Sequence, residues 1–483
     1  MTSDSKYSYD SEKVRQIFEE LSIDKRRLPS SGLTEQGVPS FVAEWLLDKK
    51  VPGTGFLTPD EQTRITDFVN RVFPRKDDQQ KIAFQISQGD VVRVISLMQV
   101  RIRLTASGQQ IPEPYALIPR LGNDFDRCRI STEVVRRNEM LLRKGVWGII
   151  TLAWGSDGVE IQDFDPFQCS TVDYDLYAQS RSHFSTEEWR DLMICSMGFN
   201  PQHPSYTIDA KTWILSRLLP IVTSNYHLME LAPKGTGKSF FFENVSNRVK
   251  VISGGKITPA RLFINGSTGE IGLLGVNDVV VLDEVQSLTF DQPDEIIGPL
   301  KTYLANGNYN RGGFADISSD CSLMMLANIE LDDYMQPKYA NNLIANLPRF
   351  FSETAFLDRF AGIIPGWRIP KFDSDMKPTG VGLKTDFFGE ALLSMRQQPR
   401  FLNYVNEHIS FPPNTTIRDQ NSIKRSAAGF LKILYPNLEL TFTDFNRDCL
   451  QPAQQLRQYI RNTLYSLDDE FRVGEKDLLC QVI

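Results

Sequence analysis

Residues 232–239, Ala-Pro-Lys-Gly-Thr-Gly-Lys-Ser, have the composition to hold a polyphosphate. They follow the apolar stretch from Tyr226 to Leu231 and lead into Phe240, Phe241, Phe242 and Glu243. A strand, a glycine-rich loop and a helix start in that order are the layout of a P-loop. Lys234, Gly235, Thr236 and Gly237 form the loop, whose backbone N–H groups can wrap phosphate oxygens beside the positive end of the helix. Lys238 is expected to reach the β and γ oxygens, and the Ser239 hydroxyl to join a Mg²⁺ shell. Ala232 stands where the usual pattern opens with glycine; that position shapes the turn and does not touch phosphate.

A second element supplies acids. Val279-Val280-Val281-Leu282-Asp283-Glu284 reads as a buried central strand that delivers two carboxylates to the loop. Asp283 is expected to hold Mg²⁺ together with Ser239, and Glu284 to orient and polarise the attacking water. ATP and Mg²⁺ are the cofactors this set implies. A further strand, Ser322 to Ala327, ends at Asn328, whose amide can sit between the acidic strand and the loop as the sensor of AAA+ ATPases does. The alternative is a turn cap. In Phe356-Leu357-Asp358-Arg359-Phe360, Arg359 is a candidate arginine finger for a neighbouring subunit, or else the partner of Asp358 in a structural ion pair. Arg418, with Arg425 as second choice, is placed to close on the γ-phosphate from a helical lid; a solvated helix charge is the other reading.

These residues need elements to position them. Residues 1–88 read as helical, with a capping box at Thr58-Pro59-Asp60-Glu61 and a buried helix from Ser40 to Leu47. Residues 89–203 carry short strand-like runs at Asp90 to Leu104, Tyr115 to Ile118, Gly145 to Trp154 and Gly158 to Phe164. A helix is expected between Thr132 and Arg143, giving an OB-like β-barrel domain. Ser185-Thr186-Glu187-Glu188 is a second capping box, with Phe184 and Trp189 placed as its hydrophobic staple. Residues 204–384 alternate strand and helix signals, which implies a parallel α/β core, and 385–483 read as a helical lid or bundle. The expected fold class is therefore α/β, with an AAA+ P-loop core, a helical lid and an N-terminal α+β region.

The 483 residues, 41% of them hydrophobic and 23% charged, are those of a soluble globular chain with several cores. Six dispersed cysteines, with no CxxC pair, exclude a zinc cluster of the usual spacing and a disulfide framework. The start lacks an apolar signal core and no run has the length of a membrane span, so a cytoplasmic location is expected. A net charge of −7 excludes a uniformly basic coat. Between Arg71 and Lys144, however, basic residues outnumber acidic ones by 14 to 8. Arg101, Arg103, Arg136 and Arg137 in that stretch are candidate phosphate contacts, with Arg127, Arg129, Arg143 and Lys144 nearby.

Lys301 to Gly313, KTYLANGNYNRGG, reads as a β-hairpin inserted before the sensor strand, carrying Lys301 and Arg311 toward a pore where they could grip a DNA backbone. Tyr303 and Tyr309 lie between them, which leaves open a protein-gripping loop. From this block the resemblance widens. The runs Ser253 to Val285 and Ala355 to Lys371 resemble the BrxL family of Lon-related proteins in BREX phage defence. So do Val38 to Lys50, Leu141 to Leu152, Phe184 to Pro201 and Ser422 to Leu434, so the likeness spans roughly residues 30 to 470. The resemblance implies an N-terminal nucleic-acid-binding region on an AAA+ core like that of MCM helicases. It further implies hexameric rings, sometimes paired, that bind DNA (duplex above all), alongside other BREX components. Family members usually continue into a Lon-like protease domain, whereas this sequence ends at Ile483, so a shortened form without peptidase activity is expected. Three functions follow: an ATP-driven motor on DNA, a protein remodeller serving a separate protease, or an ATP-gated DNA-binding switch.

Overall fold

The structure is a computed structural model. It describes residues 9–483 apart from 103–113, 123–124, 126, 143–144, 157, 168–171, 267–268, 270, 292, 311–315 and 473–475. The chain divides into two compact units, residues 26–171 and residues 1–25 with 172–483. The division falls elsewhere than composition suggests. The helical stretch 1–88 is shared between the units, the boundary expected near 203 lies at 171/172, and the expected core and lid share one unit.

In the first unit, helices α1 (Ser40–Lys50), α2 (Pro59–Val72) and α3 (Gln79–Ser87) precede a barrel. The Thr58 hydroxyl accepts from the Glu61 N–H and the Glu61 carboxylate accepts from the Thr58 N–H, so α2 starts where the capping box places it. The barrel strands are β1 (Val92–Ile102), β2 (Pro114–Leu117) and β3 (Cys128–Arg129). Helix α4 (Thr132–Arg137) follows, then β4 (Val146–Gly155) and β5 (Gly158–Pro166). They close in the order β1-β2-β3-β5-β4. Pairing is antiparallel except between β3 and β5, which run parallel through Arg129 and Glu160. Strand β3 escapes a sequence reading because two residues are too few to show alternation. Val94, Met98, Ala116, Cys128, Ile150 and Ile161 fill the interior. The opposite parity places Arg101, Tyr115 and Arg129 side by side on the outer face.

The second unit carries helix α5 (Thr186–Ser196), capped by Ser185 and Glu188. Its staple residues Phe184 and Trp189 pack with ring centroids 5.7 Å apart. The central sheet follows with β6 (Leu228–Ala232), helix α6 (Lys238–Asn244), β7 (Val249–Ser253) and β8 (Val279–Asp283). Helix α7 (Pro293–Asn306) leads into a hairpin of β9 (Asn308–Tyr309) and β10 (Ile317–Ser318). Strand β11 (Ser322–Asn328), the short helix α8 (Thr354–Leu357) and strand β12 (Gly362–Pro365) complete the sheet. Its order is β12-β6-β11-β8-β7, every pair parallel. Strands β6, β8, β11 and β12 are almost wholly buried, which explains their unbroken apolar runs.

Helices α9 (Ile417–Leu434) and α10 (Gln451–Leu467) belong to the same unit. Helix α10 lies so close to β12 that a Cβ at Gly362 would meet Leu456 Cβ at 2.6 Å, so this site needs glycine. The N-terminal residues join this unit too: strand Ser22–Asp24 pairs antiparallel with Val381–Leu383. Among the described residues no helix is long and apolar enough to cross a membrane.

Candidate active site

Strand β6 ends at Ala232, and the chain turns through Gly235 (φ +86°) and Gly237 (φ +71°) into α6. Both glycines occupy the left-handed region, where a side chain would be strained. Space alone would admit a Cβ at Gly235, which meets nothing within 4 Å, so backbone conformation is the reason for that glycine. Ala232 is fully buried as the last strand residue, which accounts for the departure from glycine there.

Sequence reasoning missed the support beneath the loop. Glu230 and Arg217 are both completely buried, and Arg217 donates to Glu230 through Nε (3.0 Å) and Nη2 (2.6 Å). The same Nη2 donates to the Thr236 carbonyl at 3.1 Å. A bidentate buried pair thus fixes the loop backbone from below. A carboxylate inside a central strand is the signal that could have found it, since Glu230 needs a cation there. The Phe372 N–H clamps the loop again by donating to the Gly235 carbonyl at 2.7 Å.

Strand β11 lies between β6 and β8, so Asn328 arrives beside the loop. Lys238 Nζ donates to Asn328 Oδ1 at 2.6 Å. The Asn328 N–H donates to Gln286 Oε1 at 3.2 Å, which ties the acidic turn to β11. Gln286 was not anticipated. Lys238 is 6% exposed, and burial lowers its pKa against the opposing fields of Glu230 and Asp283. Asp283, also buried, accepts from the Glu284 N–H at 2.8 Å. Glu284 has φ +53°, a left-handed backbone in a non-glycine residue, and its side chain is exposed. Such strain costs about 1–3 kcal/mol and recurs at functional sites. Glu243, one turn into α6, has its carboxyl pKa raised by burial and then by the charge of Asp283.

The donor set fits a Mg²⁺-bound triphosphate. A desolvated ammonium, two left-handed glycines and an orphaned buried hydroxyl, Thr236 Oγ1, converge with Asp283 and Asn328. Lys234, Gly235, Thr236, Gly237, Lys238 and Ser239 could hold the phosphates, and Ser239 and Asp283 the cation.

Arg359 and Arg418 are elsewhere. The Ala361 N–H donates to the His227 carbonyl at 2.8 Å, so Arg359 precedes β12 at the amino end of the sheet. The length of β6, roughly 16 Å at 3.3 Å per residue, separates it from the chain's own P-loop. There Arg418 pairs with Asp358, beside Arg359. Burial, followed by the charge of Arg418, lowers the Arg359 pKa. Arg425 does not face a lid: it is a half-buried anchor whose Nη2 donates to the Ser224 and Asn225 carbonyls, the latter at 2.8 Å. The hairpin exists, but Lys301 lies on α7, paired with Glu353. Arg311 lies outside the described residues. Tyr303 and Tyr309 are buried, which removes the argument for an aromatic pore loop. In the barrel unit Arg101 is exposed on β1, Arg136 and Arg137 are exposed on α4, and Arg137 pairs with Glu133. Arg103, Arg143 and Lys144 lie outside the described residues.

Comparison with known proteins gives this geometry a family. Residues 159–476 match the model described as Lon-like protease BrxL-like, ATPase domain, and residues 16–154 the model described as BREX system Lon protease-like protein BrxL N-terminal. The Lon-like protease BrxL of Escherichia coli O9:H4 (strain HS) is 29% identical over 91% of this chain and 63% of its own length. The Lon-like protease BrxL of Bacillus cereus (strain H3081.97) is 30% identical over 83% of this chain and 59% of its own. An uncharacterized protein of Acidianus filamentous virus 1 is 25% identical over 47% of this chain and 58% of its own. The chain spans about three fifths of the length of these relatives. With one family model covering its ATPase unit and a second its N-terminal region, the chain belongs to the BrxL family of the BREX system.

Proposed function

We propose that this chain is a ring-forming AAA+ ATPase of a BREX-type defence system that binds DNA and uses ATP hydrolysis to act on it. One observation carries the reading: the candidate site is divided between opposite ends of the sheet. Lys238, Asp283, Glu284 and Asn328 gather at the carboxyl ends, while Arg359 and Arg418 stand at the amino end. A nucleotide bound by one copy then meets the arginines of the next, which calls for a ring, with six copies or paired sixes as the family resemblance implies. In each composite site Asp283 and Ser239 would hold Mg²⁺, Glu284 would orient the water, and Asn328, bonded to Lys238, would stand beside the γ-phosphate. Helices α9 and α10 are the helical lid in this reading.

The barrel supports the DNA part. We read this closed five-stranded barrel, with one parallel pair and a helix between its third and fourth strands, as OB-like. Arg101, Tyr115 and Arg129 form a cross-strand row on its outer face, and Trp154 is 60% exposed at the end of β4. Cations interleaved with aromatic rings suit a phosphate backbone and its bases. Duplex DNA and other BREX components are the partners assigned, and the cytoplasm the location.

The test is ATPase rate with duplex DNA, single strands or an unfolded protein added, alongside gel shifts at low salt. Stimulation by DNA and a shift that weakens steeply with salt are expected. Stimulation by unfolded protein alone would replace the DNA reading with a remodeller. DNA binding without any effect on turnover would make the chain an ATP-gated switch.

A further inference from the structure

Arg457 on α10 is 1% exposed and makes four hydrogen bonds with one guanidinium group. Nη1 donates to the carbonyls of Asp358 (3.1 Å) and Phe360 (2.7 Å), the residues on either side of Arg359. Nη2 donates to Asp358 Oδ1 at 2.5 Å, while Arg418 takes the other carboxylate oxygen. Nε donates to Asp419 Oδ1 at 2.6 Å, and Asp419 follows Arg418 at the start of α9. The second Asp419 oxygen accepts from the capping hydroxyl of Thr416 at 2.8 Å. One buried fork therefore grips both neighbours of Arg359 and the neighbour of Arg418, from segments sixty residues apart.

The charges favour an anion from outside. Three guanidinium groups share two carboxylates, and Arg457 places four of its five N–H groups within the cluster. Asp358 is buried, which alone would raise its pKa, yet the fields of Arg457 and then Arg418 hold it below the usual carboxylate range. Arg359 spends one N–H on the Ala355 carbonyl, its buried Nε has no protein partner, and the Arg418 side chain is 55% exposed.

We infer that Arg457 is a positioning residue that locks Arg359 and Arg418 into one rigid pair, so that a neighbouring copy's triphosphate meets two pre-aligned forks. The inference rests on the proposed role of these arginines in trans. Alignment is where such a residue acts: a misplacement of about 1 Å far from the chemistry can cost about 10²-fold in rate. Loss of a residue that merely stabilises the fold would lower activity wherever the nucleotide sits, whereas loss of Arg457 lowers it only in the site its own copy completes for a neighbour.

The experiment uses the full chain as Arg457→Lys, which keeps the charge and loses the fork, in mixtures with Lys238→Ala. Alone, Arg457→Lys is expected to lose about 10²-fold in kcat with the KM for ATP changed less than about twofold. Mixed with Lys238→Ala, activity is expected to return, because the intact P-loop of one variant faces the intact arginines of the other. Wild-type kcat in Arg457→Lys overturns the inference. So does a lost rate that mixing fails to restore, while an Arg359→Ala plus Lys238→Ala mixture does recover. If that reference mixture stays inactive, the trans reading itself falls and takes this inference with it. Should thermal melting show Arg457→Lys unfolded, Asp419→Ala removes the acceptor of Arg457 Nε and severs only the Arg418 side; a loss of about tenfold in kcat, rescued in the same mixture, is then expected, and no loss or no rescue overturns the inference.

Discussion

At the carboxyl ends of the parallel strands, Lys238 and Asn328 hold each other and Asp283 accepts from its neighbour's N–H, leaving charge and donors for a ligand. At the amino ends the cations are consumed by the protein. Arg396 donates to the carbonyls of Asp278 (3.1 Å), Asp320 (2.8 Å) and Thr223 (3.3 Å), one from each loop leading into β8, β11 and β6. Arg425 holds the Asn225 carbonyl nearby. His227 accepts from the Leu323 N–H through Nδ1 at 3.1 Å. The amino edge is thus held by structural contacts while the carboxyl edge keeps donors open. Among the described amino-end cations Arg359, with an unpartnered Nε, and the half-exposed Arg418 keep N–H groups to spare. The contrast shows that arginine count near a nucleotide fold is a poor guide to catalysis; what separates a finger from an anchor is whether backbone carbonyls have already used its N–H groups.

Breaking the carboxyl edge should have the largest effect. Lys238→Ala is expected to abolish measurable ATP binding and turnover while the melting temperature stays near wild type; a hydrolysis rate equal to wild type would sink the site. Glu284→Gln should retain ATP and lose about 10²–10⁴-fold in turnover, the range of a general base, in single-turnover assays. Arg217→Ala leaves Glu230 as an uncompensated buried charge and should cost about 3–5 kcal/mol in denaturant unfolding. Replacing both partners, as Arg217→Met with Glu230→Leu, should recover most of that stability but not nucleotide affinity, because the Thr236 carbonyl stays without its donor.

The amino edge offers the smallest and most specific signal. Burial lowers the His227 pKa to about 3. The unfolded chain, titrating near the ordinary value of about 6.5, binds the proton first as the pH falls. The contribution is therefore complete above about pH 6.5 and is lost toward pH 3, at about 1.4 kcal/mol per pH unit. Denaturation midpoints of wild type and His227→Asn between pH 7 and 5 check it; equal slopes would place the acid sensitivity elsewhere.

Much of this was legible because the informative signals are local. Capping boxes at Thr58 and Ser185 act within four residues, and P-loop glycines announce left-handed turns. The run Val279 to Leu282 is apolar because both faces of β8 are covered. The helix end that opens KTYLANGNYNRGG is legible, but that Lys301 on it turns to Glu353 is not. Arg425 was misread since a cation spaced along a helix face gives no sign of what lies across from it. Glu230 within a central strand signals that it needs a cation, but neither its partner Arg217, 13 residues away, nor the Arg457 cluster, with partners up to 99 residues away, could be named from sequence.

Residue chemistry and short-range spacing by themselves determined that this chain builds a phosphate loop, an acidic strand beside it and a β-rich N-terminal region. Only the tertiary structure decided which cations are free to act. Whether Arg359, Arg418, Arg425 or Lys301 faces a ligand depends on which carbonyls and carboxylates the fold brings within hydrogen-bond distance. That choice is made by strand order and helix docking, which no window of neighbouring residues encodes.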